Sequence, residues 1–189
     1  MFDVTKLIDK VIGVEGGYSN HPADRGGPTR WGITEQVARA YGYAGDMRDL
    51  PRPVAVRIYR ARYWEEPGLG LIAELAPKLA AELFDTGVNM GTSIPGKFLQ
   101  RTLNVLNRSQ TDYPDIAADG RIGPMTVMAL RKFLKLRGPE GETVLIRAAN
   151  ALQGARYIEI AEDRQANEAF VYGWLAHRVG ELGGGGSGA

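Results

Sequence analysis

Apolar residues at Val4, Leu7, Ile8, Val11 and Ile12 recur at steps of three and four, so the spacing predicts an opening helix over about 4–14 with one buried face. Gly16 and Gly17 follow and supply the left-handed backbone that ends such a helix. The period then disappears until about Gly32, in a run of Gly, Pro, Asn and Asp that reads as a loop. Strand signal is thin along the whole chain. Only this stretch has room for a short hairpin, with Gly26, Gly27 and Gly32 for its corners. Thr34 reads as the N-cap of a second helix, Asp46–Arg52 as a break, and PVAVRIYRARYW as a third helix. Further helices are predicted near Lys78–Asn89, Pro95–Asn104, Pro124–Leu136 and Val144–Leu182, the last interrupted near Asn167. The expected class is mainly α with a small hairpin after the first helix.

Composition changes this picture by exclusion. The 189 residues suffice for one domain of ordinary size, or one with a small appendage. Lys and Arg number 23 against 22 acids, and a net charge of +1 gives no general attraction to nucleic acid or to a membrane surface. There is no cysteine, which excludes a thiolate nucleophile or thiolate metal site, and with only His21 and His177 a zinc site is not expected either. No cofactor is expected. No apolar stretch approaches the roughly 18 residues of a membrane span, and charges interrupt the N-terminus before any signal-like core forms. The expectation is therefore a monomer made in the cytoplasm without a signal peptide, with no stable membrane insertion. Residues 183–189, GGGGSGA, read as an appended linker outside the fold.

The candidate chemistry lies where the first helix ends. Glu15 follows Val11 by four residues and so stands above the apolar stripe. Burial there is expected to raise its pKa and keep it protonated, as a general acid requires. The alternative is an exposed Glu in the last turn, although its charge opposes the helix dipole. Asp24 and Thr29 follow in the Gly- and Pro-rich run, which can fold back to bring a second carboxyl and a hydroxyl to the helix end. Asp24 lies beside Arg25, which favours ionisation, so the two carboxyls are expected to separate into acid and base. Glycosidic hydrolysis uses that division: one group protonates the leaving oxygen while the other serves the opposite face of the sugar. Asp24 also suits a plain turn, and the Thr29 hydroxyl equally suits a bond to its own backbone. His21 reads as a substrate contact or a surface residue.

The run from Glu15 to Thr34, with EGGY at its head and GGPTRWGIT at its close, resembles the catalytic signature of glycoside hydrolase family 108. The resemblance extends to LFDTGVNMG at 83–91 and to FVYGWLAHRV at 170–179. DGRIGPMT at 119–126 is similar to the small predicted peptidoglycan-binding region that commonly ends these phage and prophage N-acetylmuramidases. The resemblance implies a lysozyme-like helical fold that cleaves between N-acetylmuramic acid and N-acetylglucosamine, with Glu15 as the catalytic glutamate. It implies Asp24 and Thr29 as partners. Their interval is one residue shorter than in phage-type lysozymes, and Thr34 is the alternative hydroxyl. The expected organisation is a catalytic region over 1–115 and a helical wall-binding region over 116–182 packed on the same body.

Among aromatic residues able to stack on the C–H faces of sugars, Tyr18 is favoured because it directly follows the catalytic turn. Trp31 and Trp64 read as hairpin packing, with Trp31 also a candidate contact. Asp85 and Asn89 share a helix face, four residues apart, and Asn89 is favoured as a contact to an N-acetyl group. For Asp85 a substrate contact and a structural acceptor weigh equally. Arg131, Lys132, Lys135 and Arg137 suit either an anionic envelope surface or a solvated helix face. The leading expectation is an endolysin whose partner is bacterial peptidoglycan, reached after holin-type release. A lytic transglycosylase and a non-catalytic wall-binding or secretion-accessory protein on the same scaffold are the alternatives.

Overall fold

The computed structural model describes residues 3–15, 17–20 and 27–179. The chain divides into two compact units, Met1–Glu66 and Pro67–Ala189.

The first unit opens with helix α1, Val4–Glu15. Its stripe behaves as the spacing requires: Val4, Ile8 and Ile12 are buried, while Leu7 and Val11 on the flanks are half-buried. Strands β1 (Tyr18–Ser19), β2 (Thr29–Arg30) and β3 (Ile33–Thr34) form one antiparallel sheet in that order. Tyr18 pairs with Arg30 and Ser19 with Thr29, and on the other side Thr29 pairs with Thr34 and Arg30 with Ile33. Trp31 and Gly32, at φ 55° and 71°, make the two-residue turn between β2 and β3. Positive φ at both central residues is what a tight hairpin with the twist of its strands demands. Helix α2 (Glu35–Ala40) is capped by Thr34, whose hydroxyl accepts from the Val37 N–H at 3.4 Å. A 3-10 turn, Met47–Asp49, fills the expected break, opened by the Asp46 carboxylate accepting from the Arg48 N–H at 2.8 Å.

Helix α3, Arg52–Arg60, runs on into a π-helical turn over Ala61–Glu65, marked by the Glu66 N–H bonding to the Ala61 carbonyl at 2.9 Å. It packs on α1, and polar links reinforce the pair: Arg60 donates to the Thr5 hydroxyl at 2.9 Å and Arg52 to the Asp9 carboxylate at 2.5 Å. The first half of α1 is thereby fixed against α3.

The second unit contains α4 (Leu69–Ala73), α5 (Pro77–Met90), α6 (Ile94–Val105), α7 (Pro124–Arg137), α8 (Glu140–Asp163) and α9 (Glu168–Arg178). A 3-10 turn at Gln165–Asn167 separates α8 from α9, at the expected interruption. Helix α5 packs on α4, α6 and α8, and α8 also on α7 and α9. Leu79, Leu83, Phe84, Leu103, Leu130 and Phe133 are almost fully buried there. A polar thread crosses this core without leaving orphans: the Thr86 hydroxyl donates to the buried Gln153 side chain at 3.0 Å, which donates to the Tyr157 hydroxyl at 3.2 Å. The first turn of α5 is capped from α8, since Glu142 accepts from the N–H groups of Lys78 and Leu79 at 2.8 and 3.0 Å. The chain is thus mainly helical, with one small sheet directly after the first helix. The short helix α4 is an element the sequence pattern did not predict.

Candidate functional site

Glu15 is the last residue of α1, the position its spacing predicted. Its side chain, and Asp24 and His21 altogether, lie outside the described residues, so the expected raised pKa of Glu15 and its separation from Asp24 do too. What is described is the sheet that begins three residues after Glu15. It brings three of the candidate residues together: Tyr18 on β1, Thr29 on β2 and Trp31 in the following turn.

Each is held differently. The Thr29 hydroxyl donates to the Gly27 carbonyl at 3.2 Å, so its proton is engaged locally while its lone pairs are left to accept. The Trp31 indole N–H donates to the Leu50 carbonyl at 2.9 Å, and the Arg30 guanidinium stands 5.5 Å from the ring centroid. Those contacts hold a bulky side chain at a left-handed φ that glycine or asparagine adopts more cheaply. Trp31 therefore does pin the hairpin, whereas Tyr18 remains 41% exposed.

Tyr18, Asn20, Pro28, Glu35, Asp46 and Arg48 line a cavity of about 260 Å³ beside the sheet. The Tyr18 phenol and, after it, the Asp46 carboxylate stabilise the positive charge of Arg48 and raise its pKa above the ordinary guanidinium value. Arg48 and Asp46 approach to 3.7 Å. The cavity thus offers an aromatic ring, a cation and amide and carboxylate oxygens, a combination suited to a polar ligand with apolar faces. The sequence reading found Tyr18 and missed Arg48, because a 3-10 turn separated from β1 by nearly thirty residues gives no periodic signal linking the two.

Asp85 and Asn89 lie on α5 in the second unit, one turn apart as predicted. The Asn89 amide donates to both the Asp85 carbonyl and its carboxylate at 2.9 Å, while its oxygen accepts from Arg178 at 2.5 Å. Asn89 is therefore held at both ends of its amide, joining the sequence blocks at 83–91 and 170–179.

The DGRIGPMT block is a loop leading into α7. Gln100 on α6, 2% exposed, organises it. Its amide donates to the Asp119 carboxylate, the Arg121 carbonyl and the Thr126 hydroxyl at 3.0, 2.9 and 3.2 Å, and its oxygen accepts from the Gly120 N–H at 2.8 Å. The Arg121 backbone N–H and then the Gln100 amide hold the Asp119 carboxyl below the usual carboxylate range. Among the described residues no cluster of His, Asp or Glu could hold a metal ion, and no helix is long and apolar enough to cross a membrane. Of the basic cluster on α7, Arg131, Lys132 and Lys135 are exposed, and Arg137 approaches Asp112 at 3.8 Å.

Comparison with known proteins finds two family models along the chain. The family model described as glycosyl hydrolase 108 matches residues 8–91, which run from within α1 through the sheet to the end of α5. A second, described as a predicted peptidoglycan domain, matches residues 94–179. The fold is similar to the solved structure of Brucella abortus SagA, with 23% sequence identity and a TM-score of 0.59 over 90% of this chain and 94% of that one. No curated protein matches the chain. Residues 8–91 are thus a glycosyl hydrolase 108 region and residues 94–179 a predicted peptidoglycan domain, together a glycoside hydrolase with a lysozyme-like fold.

Proposed function

We propose that the protein is an N-acetylmuramidase that hydrolyses the β-1,4 bond between N-acetylmuramic acid and N-acetylglucosamine in bacterial peptidoglycan. The observation that carries this reading is the family match, which spans Glu15 and the whole Tyr18–Thr34 sheet. Glu15 acts as general acid and gives its proton to the departing glycosidic oxygen. As the C–O bond breaks, positive charge develops on the sugar ring, and Asp24, ionised, stabilises that charge or takes the proton of an attacking water. The Thr29 hydroxyl, whose proton is engaged by the Gly27 carbonyl, orients this water by accepting from it. Tyr18 stacks on a sugar face, and His21, Trp31, Asp85 and Asn89 are further substrate contacts, Asn89 meeting an acetamido N–H through the remaining lone pair of its oxygen, since its amide hydrogens are engaged by Asp85. The catalytic region reaches to about residue 115, and residues 116–182 contact the wall. In its host the protein is an endolysin, made in the cytoplasm and released to the wall through a holin-type route.

Mass spectrometry of the muropeptides released from purified peptidoglycan tests the bond chemistry. Hydrolysis gives products carrying one added water with a reducing N-acetylmuramic acid terminus. Products ending in 1,6-anhydro-N-acetylmuramic acid, without that water, replace the hydrolase by a lytic transglycosylase.

A further inference from the structure

The groove beside the DGRIGPMT loop has a volume of about 320 Å³, at the low end for a small-molecule site and too small for several sugar rings. Its rim carries charges of both signs: the carboxylates of Asp115 and Asp119 and the guanidinium of Arg121. Its remaining wall is apolar, from Ile116, Pro124 and the 53% exposed Met125.

The charged residues stand on a segment fixed by side-chain amides of α6 and the residues after it. Gln100 holds residues 119–121 as described. Asn104 accepts from the Ile116 N–H at 2.9 Å and donates to the Ile116 carbonyl at 2.7 Å. Asn107, 2% exposed, donates to Asp115 at 2.7 Å. Rigid placement of this kind lowers the ordering cost of binding. It also leaves hydrogen-bonding capacity open on the rim. Asp119 spends Oδ1 on the Arg121 N–H at 2.8 Å and on Gln100 at 3.0 Å, and among the described residues its Oδ2 has no hydrogen-bond partner. Nor does the Arg121 guanidinium donate to any described residue. The rim thus presents a carboxylate oxygen and a guanidinium that attract each other through space but are joined by no hydrogen bond, so both can turn to a ligand.

We propose that this groove binds the peptide stem of peptidoglycan rather than its glycan, taking a terminal diamino acid whose ammonium meets Asp119 and Asp115 and whose carboxylate meets Arg121. The inference rests on peptidoglycan as the substrate and adds which part of it the second unit holds. Glycan strands offer hydroxyls and acetamides, which call for neutral donors and acceptors. A stem ending in lysine or diaminopimelate offers separated opposite charges, the complement of this rim. Because cross-linking consumes the side-chain amine, the groove selects strands that are not yet cross-linked.

The test is an NMR titration of the full chain with the tripeptide L-Ala-γ-D-Glu-L-Lys, its Nε-acetyl derivative, and N-acetylchitotetraose. Binding of the free tripeptide shifts the amides of Gly120, Arg121 and Gly123, and acetylation weakens it at least tenfold. Asp119→Asn keeps an oxygen for the Arg121 N–H and Gln100 while removing the charge, so a folded variant with at least tenfold weaker binding is expected. Arg121→Gln, which leaves the backbone contacts in place, gives the same loss. Equal binding of the acetylated peptide, unchanged affinity in both variants, or chitotetraose shifting these same amides overturns the assignment. If the wild-type chain releases reducing ends from peptidoglycan but the tripeptide does not bind, the groove inference fails alone. Tripeptide binding without any bond cleavage instead removes the glycosidase reading and leaves the groove standing.

Discussion

Arg108, Ser109 and Gln110 adopt φ of 53°, 55° and 66°, three consecutive left-handed residues none of which is glycine. Each such residue costs roughly 1–2 kcal/mol in isolation. The turn persists because its ends are clamped: Asn107 accepts from the Gln110 N–H at 2.9 Å, and Arg108 embraces the Asp112 carboxylate through Nε at 3.1 and 3.0 Å. The Arg108 hydrogen bond, opposed by desolvation and aided by the charges of Arg108 and Arg137, lowers the Asp112 pKa. A lowered folded-state pKa means that this contribution to stability is complete above the ordinary carboxylate value near 4 and is lost as pH falls through the lower folded value. Melting temperatures at pH 7 and pH 3 should therefore fall further in the wild type than in Asp112→Asn. An equal fall in the two proteins contradicts the clamp. None of this was legible in the sequence, because three successive left-handed residues with side chains violate the propensities on which turn prediction relies.

At the scale of elements, the tightest constraint is the crossing of α6 with the loop before α7. A methyl group added at Gly96 lies 2.2 Å from the Gly120 carbonyl oxygen, and one added at Gly120, itself at φ 86°, lies 2.5 Å from the Ser93 carbonyl oxygen. Both obstacles are backbone, so neither yields by a rotamer change. Gly96→Ala should destabilise the protein by about 2 kcal/mol or more, read as a lower denaturant midpoint, and should also disturb the amides of residues 119–121. A neutral Gly96→Ala shows that the loop does not seat on α6 as described. Helix positions were legible because apolar spacing reports burial directly: α5, α6 and α7 begin and end within a residue or so of the periodic pattern. Helix α4 was hidden by its length of five residues, below one and a half turns, too short to establish a period. The cap supplied to α5 by Glu142 joins positions more than sixty residues apart and leaves no local trace.

For the whole chain, the sequence conveyed the family and the order of its parts more fully than the disposition of its side chains. Glu15 could be singled out because one helix face and one glycine pair locate it without tertiary information. Tyr18, Thr29 and Trp31 could be grouped because the turn residues around them are local. Arg48, Gln100 and Arg178 escaped notice because their partners lie on other elements. The near-neutral charge of +1 also restricts how the protein recognises its target: with no long-range field, selectivity must come from local arrangements such as the Tyr18–Arg48 cavity and the 115–121 groove. The central claim concerns Glu15, and reducing-end release from purified peptidoglycan by wild-type protein and by folded Glu15→Gln tests it most directly. General acid catalysis predicts steady release by the wild type and a loss of at least about a hundredfold in the variant. Release by Glu15→Gln at the wild-type rate contradicts it.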